Sequence, residues 1–139
     1  MIEPGKLNGY LVAIKEELRK AEGKHPDFCE QMIDNEGNFY WNYAEDALKI
    51  RNAKNGNIYA DDVFLEEVAE AFNAYQQGDK KHALQELAQC GAVILRIMAK
   101  VDEEIQKEKR KCRQSKNTRL TRSSSKARLA SGTTHTMLS

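Results

Sequence analysis

Four glutamates in two adjacent predicted helices have the spacing of a metal site. Glu70 lies four positions after Glu66 and three after Glu67, so on a helix the three carboxylates share one region of the surface. Glu86 falls on the next predicted helix, in line with the apolar stripe of that helix. If the two helices pack antiparallel across a short turn, all four carboxylates face one another. Such a cluster predicts a hard divalent cation, with Mg²⁺ as the default and Mn²⁺ as a substitute.

A solvated acidic face is the competing explanation of these glutamates. For Glu66 alone it is the better explanation, because most helical glutamates are exposed. Glu86 changes the balance, since a carboxylate on an apolar stripe is costly to bury unless protonation, a basic partner or a metal compensates its charge.

The order of these residues resembles the motif of the MazG-like, all-α nucleoside triphosphate pyrophosphohydrolases. That motif is Glu-Glu-x-x-Glu on one helix and Glu-x-x-Asp on the next. The matching residues here are, in chain order, Glu66-Glu67-x-x-Glu70, the Gly78-Asp79 turn, Glu86-x-x-Gln89 and the apolar run 92–98. Gln89 stands where the family has its last acidic ligand, and its neutral amide offers a carbonyl oxygen but no charge.

The resemblance implies both a fold and a function. The fold is an all-α, four-helix, MazG-like bundle over residues 1–109. The function is that of a hydrolase of nucleotide metabolism, which uses Mg²⁺ to split a (deoxy)nucleoside triphosphate into a monophosphate and pyrophosphate. A homo-oligomer, either a dimer or a tetramer, fits a family of this type.

The resemblance also implies roles for the individual acidic residues. The expected metal ligands are Glu67, Glu70 and Glu86. Gln89 takes the remaining metal position, where its amide would ligate weakly or hold a metal-bound water. Glu66 and Glu67 are the expected catalytic residues, with Glu66 either a further ligand or the group that positions the attacking water.

Aromatic and basic residues supply candidate contacts to the substrate. Trp41 and Tyr43 belong to a run of four aromatic residues in five, which could stack on a nucleobase in a contact worth about 1–3 kcal/mol. Packing in the core is the commoner fate of any single ring. Lys80, Lys81 and Arg96 are candidate phosphate contacts by charge alone, and ordinary helix surface is the commoner role for such residues.

Apolar spacing and cap residues predict four helices. The fourth has an apolar arc wider than one partner helix would cover, which predicts a homo-oligomer with this helix in or near the interface. Asp61 or Asp62 is the expected N-cap of the third helix, and Asp79 that of the fourth. Gly78 suits the C-terminal cap of the third helix. The predicted spans are Lys6 to Glu22, Phe39 to about Lys54, the cap at Asp61 or Asp62 to about Gln77, and Lys80 to beyond Glu108.

Composition bounds the class of protein. The chain has 139 residues, 40% of them hydrophobic and 31% charged, with a mean hydropathy of −0.72, which suits one modest helical domain. No stretch reaches the ~18 apolar residues that span a bilayer, and the first residues lack the order of a secretory signal. We therefore expect a cytoplasmic protein without membrane association. Three cysteines and three dispersed histidines do not suit a disulfide framework or a zinc site, so each histidine is expected to be structural or at the surface.

Charge divides the chain into an acidic part and a basic tail. Residues 1–106 carry 12 Lys and Arg against 20 Asp and Glu, a balance of −8, while residues 107–139 carry 10 against 1, a balance of +9. Residues 110–139 are predicted to be disordered, because their Arg, Lys, Ser and Thr cannot offset the entropy of ordering. Such a tail could bind nucleic acid non-specifically through phosphates, and a solubilising tail is equally consistent.

Two alternatives to an enzyme stay open from the residues. Gln89 in place of an acidic ligand would suit a catalytically silent helical bundle that binds a nucleotide or a partner protein. The basic tail would suit a nucleic-acid-associated protein. Nucleotide binding without turnover would favour the first, and salt-sensitive DNA or RNA binding that is lost with residues 110–139 would favour the second.

Overall fold

The computed structural model describes residues 1–34 and 40–130, and these residues form an all-α protein. No strand occurs in either range, which confirms the all-α fold class predicted from the sequence. The four helices are α1 (Pro4–Lys24), α2 (Trp41–Asn55), α3 (Ala60–Gln76) and α4 (Lys80–Ala130). No helix in the described ranges has the length and apolar character needed to cross a membrane. Phe39, the expected start of the second helix, lies outside the described residues.

A Schellman turn joins α3 to α4. Gly78 adopts a left-handed backbone with a φ of +87°, which glycine reaches without steric cost. Its N–H donates to the Tyr75 carbonyl at 3.0 Å, and the Asp79 N–H donates to the Ala74 carbonyl at 2.9 Å, so the last carbonyls of α3 are satisfied. The Asp79 carboxylate then accepts the backbone N–H of His82 at 3.0 Å and caps α4. The caps predicted at Gly78 and Asp79 are therefore confirmed.

The start of α3 differs from the prediction. Neither Asp61 nor Asp62 caps the helix, because both lie in its first turn and Tyr59 precedes it without a side-chain cap bond. Acidic residues in a first turn are still favourable, since they face the positive end of the helix dipole. The buried Asp62 carboxylate instead accepts a hydrogen bond of 2.9 Å from Nε of Arg51 on α2. That ion pair holds the side chain away from the helix end.

Helices α2 and α3 pack closely against each other, with Cα atoms of the two helices within 8 Å. Helix α3 buries Ala69, Ala71 and Ala74, and small side chains let neighbouring helices approach closely. Trp41 of α2 stacks on Phe72 of α3 with ring centroids 4.8 Å apart and planes at 21°. This stacking helps to set the register in which α2 side chains meet those of α3.

Helix α1 buries none of its own residues. Its apolar side chains Leu11, Val12, Ile14 and Leu18 are 40–59% exposed. Ile14 and Leu18 line a shallow apolar groove together with Met98 of α4. The apolar spacing that predicted the helix is thus present, and the described residues do not cover it.

Two compact units, Met1–Ala99 and Lys100–Ser139, divide the chain within α4. In the second unit the helix continues to Ala130, with every residue from 107 to 130 exposed. The disorder predicted for the basic tail is therefore not confirmed as far as residue 130, and residues 131–139 lie outside the described residues. Lys, Arg and Gln favour helix, and Ser and Thr hydroxyls donate to carbonyls three or four positions back. The hydroxyls that do so belong to Ser115, Thr118, Thr121, Ser123, Ser124 and Ser125.

Candidate metal centre

Three glutamates from α3 and α4 converge on one point. One carboxylate oxygen from each of Glu67, Glu70 and Glu86 lies within 4.8 Å of the other two. The spacing of three residues puts Glu67 and Glu70 on one face of α3. The turn at Gly78 folds the chain back, so that Glu86, which is only 7% exposed, meets them from α4. With small side-chain movements these oxygens can close around one cation, since Mg²⁺ holds its oxygen ligands at about 2.0–2.1 Å.

Glu67 shows that the cluster is short of positive charge. Its Oε2 atom is buried, and among the described residues no hydrogen-bond partner reaches it. Burial raises the pKa of the Glu67 carboxyl, and the charges of Glu70, then Glu86, raise it further. The positive charge of Lys49 opposes these effects. A buried oxygen without a partner is costly, so the donor set fits a cation placed among the three carboxylates.

Cys90 is a buried thiol whose titration is affected by the same cluster. Burial raises the pKa of this thiol, and the charge of Glu67 adds to the effect. The sulfur therefore stays a neutral thiol, which is a poor metal ligand. With carboxylate oxygens as its donors, the cluster suits a hard cation such as Mg²⁺ or Mn²⁺ better than it suits zinc.

Two side chains on α4 hold Glu86 in place. Nε2 of His82 lies 2.7 Å from Glu86 Oε1, and Nε2 of Gln89 donates to Glu86 Oε2 at 2.8 Å. Both partners are about one helical turn from Glu86, where side chains on one helix can meet. Partners of this kind orient a ligating carboxylate and commonly control metal affinity. Sequence reasoning gave His82 no part in a metal site, although its four-residue spacing from Glu86 was the available signal.

Glu66 and Gln89 lie beside the three converging oxygens. Gln89 is exposed and turns its amide nitrogen toward Glu86. Glu66 accepts a hydrogen bond from the side-chain amide of Asn52 on α2, a residue that is 2% exposed. Glu66 is not one of the three clustered glutamates. The metal position expected for Gln89 and the ligand or water-positioning role expected for Glu66 stay predictions.

Glu70 forms an ion pair with a lysine that was not predicted from the sequence to lie at the site. Nζ of Lys49 on α2 lies 2.8 Å from Glu70 Oε1 and also pairs with Glu45, one turn earlier on α2. The hydrogen bonds to Glu45 and then to Glu70 raise the pKa of Lys49, so its ammonium is charged at physiological pH. Asn73 of α3 donates to the other oxygen of Glu45. Glu45 and Lys49 have the ordinary four-residue spacing of a surface pair, and only the register between α2 and α3 brings Lys49 to the cluster.

A cleft of about 430 Å³ opens beside the carboxylates. Glu70 and Glu86 form part of its wall, and Lys49 and His82 line it as well. Asn73 adds a side-chain amide. Two more carboxylates, one from α2 and one from the turn before α4, also line the cleft, so acidic side chains outnumber the two basic ones. An anionic ligand would therefore fit this cleft only together with a metal.

The two aromatic residues predicted to stack on a base do not line this cleft. Trp41 is partly buried, stacks on Phe72 and donates its backbone N–H to a side-chain oxygen of α3. Tyr43 is exposed and meets Tyr40 edge-on, with ring centroids 5.9 Å apart and planes at 89°. Stacking of either ring on a nucleobase stays a prediction.

The three basic residues predicted to contact phosphate are also absent from the wall of the cleft. Lys80 lies over the Tyr75 ring, with Nζ 5.9 Å from its centroid. Lys81 and Arg96 are exposed on α4. Lys49 and His82, which the sequence did not single out for this purpose, are the basic side chains of the cleft. Phosphate binding by the first three residues stays a prediction.

Comparison with protein-family models, with curated proteins and with solved structures gave no match to this chain. A function can therefore be proposed from the convergence of Glu67, Glu70 and Glu86 and from the buried Glu67 oxygen, which has no partner in the part of the chain that the structure describes. The cleft beside them adds the space that a ligand would need.

Proposed function

We propose that this chain is a Mg²⁺-dependent nucleotide pyrophosphohydrolase of the MazG-like type, which splits a (deoxy)nucleoside triphosphate into a monophosphate and pyrophosphate. One observation carries the proposal: oxygens of Glu67, Glu70 and Glu86 converge within 4.8 Å, and one buried oxygen of Glu67 has no hydrogen-bond partner within residues 1–34 and 40–130. A triphosphate brings about four negative charges of its own, so an acidic site can accept it only together with metal ions.

The residues of the cluster divide into those that would hold Mg²⁺ and those that orient them. Glu67, Glu70 and Glu86 would be the ligands. His82 and Gln89 occupy the two oxygens of Glu86 and so determine which way that carboxylate faces. Bound Mg²⁺ would neutralise the phosphate oxygens and lower the pKa of a coordinated water.

Glu66 is the residue that we assign to the attacking water. It stands next to Glu67 on α3, and Asn52 holds its carboxylate from α2. In the reaction the water oxygen bonds to the α-phosphorus while the P–O bond between that phosphorus and the departing pyrophosphate breaks. Pyrophosphate leaves with the bonding electrons, and the Glu66 carboxylate accepts a proton from the water. Glu66→Gln would remove that acceptor and keep the shape of the side chain.

We also propose that the chain works as a homo-oligomer, a dimer or a tetramer. Helix α1 buries none of its residues, and Leu18 is 56% exposed. On α4, Leu84 and Leu87 are 70% and 42% exposed, and a second copy could cover both helices. Light scattering at micromolar concentration should give a multiple of the chain mass, and Leu18→Glu should reduce it. A monomeric wild-type chain would overturn this part of the proposal.

The test of the activity is a screen of the common ribonucleoside and deoxyribonucleoside triphosphates with Mg²⁺ or Mn²⁺. Pyrophosphate and orthophosphate are measured separately, and EDTA should stop the release of pyrophosphate. Glu86→Gln should be inactive, whereas Glu103→Gln, an exposed glutamate elsewhere on α4, should keep the wild-type rate. Release of orthophosphate alone would reject a pyrophosphohydrolase.

The placement of Gln89 favours a second candidate, a catalytically silent protein that binds a nucleotide or a partner. Its amide donates to Glu86, so the site lacks the fourth carboxylate of the family motif. Calorimetry that shows nucleotide binding, with no product in the screen above, would support this candidate.

The exposed basic stretch of α4 favours a third candidate, a nucleic-acid-associated protein. Every residue from 107 to 130 is exposed, and this stretch of α4 carries ten basic side chains and one acidic side chain. Binding to DNA or RNA that weakens steeply with salt, and disappears on removal of residues 110–139, would support it.

A further inference from the structure

Lys49 connects α2 to the carboxylate cluster of α3 and α4. Its Nζ lies 2.8 Å from Glu70 and pairs at the same time with Glu45. Glu45 is itself held, because Asn73 donates to its second oxygen. The lysine therefore reaches Glu70 from a fixed position.

The charge of Lys49 acts on the same carboxylates that a divalent cation would use. Its ammonium stabilises the ionised form of Glu67 as well as pairing with Glu70. A cation among the three carboxylates would share Glu70 with the ammonium and would be repelled by it. Lys49 and a divalent cation therefore compete for the carboxylate of Glu70.

We propose that Lys49 is a positioning residue that sets the metal affinity of the site, an inference that rests on the proposed function. Lys49 pairs with Glu70 in the metal-free protein and releases it when a divalent cation binds. Lys49 thus acts as a tethered competitor of the metal. The ion pair keeps the cluster partly neutralised until the cation arrives, and Glu45 keeps the displaced ammonium beside the cleft.

A purely structural role makes a different prediction. If Lys49 only joined α2 to α3, its removal would loosen the pair of helices and weaken the site. Arg51 offers the matched control, because it also joins α2 to α3 but pairs with Asp62, which is not one of the clustered glutamates. Arg51→Met also removes one positive charge from α2, so it measures the general electrostatic effect of such a loss.

The experiment measures Mn²⁺ binding to the full chain in the absence of nucleotide. The electron paramagnetic resonance signal of free Mn²⁺ gives the amount that remains unbound. Lys49→Met should bind Mn²⁺ about tenfold more tightly, because it removes one nearby positive charge that repels the ion. Lys49→Arg, which keeps the charge, should stay near wild type. Arg51→Met should change the affinity much less than Lys49→Met.

A second variant should change the Mn²⁺ affinity in the opposite direction, and this test does not require Lys49→Met to fold. Glu45→Gln leaves Lys49 with Glu70 as its remaining charged partner, so Mn²⁺ should bind more weakly than to the wild type. Circular dichroism and thermal unfolding of each variant show which chains are folded. If folded Lys49→Met binds Mn²⁺ no more tightly than wild type, or if Glu45→Gln strengthens binding, the competitor role is overturned.

Failure of this inference is separable from failure of the proposed function. If no triphosphate is hydrolysed but Lys49→Met still tightens Mn²⁺ binding, the competitor role stands and the pyrophosphohydrolase proposal falls. If pyrophosphate is released by the wild type but Lys49→Met leaves the Mn²⁺ affinity unchanged, only the competitor role falls. Absence of Mn²⁺ binding in every chain overturns both.

Discussion

The side-chain amide of Gln89 donates a hydrogen bond of 2.8 Å to Oε2 of Glu86. Because His82 lies 2.7 Å from Oε1, both oxygens of this buried carboxylate have a partner on α4. Gln89 therefore orients a candidate ligand, whereas the MazG-like motif that the sequence resembles has a fourth carboxylate there. Variants of Glu86 and Gln89 can separate these two uses.

Glu86→Gln should abolish metal-dependent release of pyrophosphate. The expected loss exceeds the roughly 10–100-fold that follows removal of an outer-shell partner, because a proposed ligand itself is lost. In EDTA the free energy of unfolding should change by only about 1 kcal/mol, since the amide keeps one acceptor for its neighbours and removes a charge from a crowded site. Enzyme assays and urea denaturation check the two parts. Full activity in this variant would show that Glu86 is no ligand.

Gln89→Asp should have opposite effects with and without metal. Without metal it removes the donor to Glu86 and adds a like charge, so the melting temperature in EDTA should fall. With Mn²⁺ the added carboxylate supplies a fourth acidic group, and the rise in melting temperature caused by the ion should exceed that of the wild type. Gln89→Leu removes the donor without adding charge and is the matched control. Equal Mn²⁺ responses in the Asp and Leu variants would show that this side chain does not reach the metal.

Glu67 should make the metal-free protein less stable as the pH rises. The pKa of its carboxyl is raised above the ordinary 4.5, first by burial, so the folded state binds this proton more tightly than the unfolded state does. The resulting stabilisation is complete below pH 4.5 and is lost as the pH rises through the folded pKa. In EDTA, Glu67→Gln should therefore be more stable than wild type at neutral pH, with no such advantage in the acid range. Urea denaturation across this pH range measures the difference, and a difference that is constant with pH would contradict the prediction.

Gly78→Ala should damage both the fold and the site. A side chain at a φ of +87° is strained, and the left-handed region costs a non-glycine residue about 1–2 kcal/mol. Gly9→Ala, on α1, meets nothing within 4 Å and should stabilise the helix by up to about 1 kcal/mol. Thermal unfolding and Mn²⁺ titration should show lower stability and weaker binding for Gly78→Ala alone. If Mn²⁺ affinity is unchanged in that variant, the site does not depend on this turn.

The convergence of Glu67, Glu70 and Glu86 could be predicted because it depends on local rules. The helical period places the first two on one face, and the glycine and aspartate of the turn signal a tight reversal that brings the third back to them. These steps need no knowledge of how distant elements pack. The all-α class follows from the same periodicity.

The ion pairs of Lys49 with Glu70 and of Arg51 with Asp62 could not be predicted, because they depend on the register between α2 and α3. That register is set by the stacking of Trp41 on Phe72 and by close packing of small side chains, which spacing within one helix does not reveal. The same register brings Arg51 to the buried Asp62 carboxylate, which lies in the first turn of α3 and not at its N-cap. In the tail, composition predicted disorder because it counts missing apolar burial but not the helix propensity of Lys, Arg and Gln.

All the side chains that build the candidate site lie in one uninterrupted stretch of chain, from Glu45 to Gln89. Contacts between residues this close in sequence have a small loop-closure cost, and helical hairpins rich in such contacts are among the fastest structures to form. The site can therefore assemble early in folding, without waiting for α1 or for the far end of α4. If the three carboxylates come together early, divalent cations can bind them during folding. That binding would favour the native hairpin.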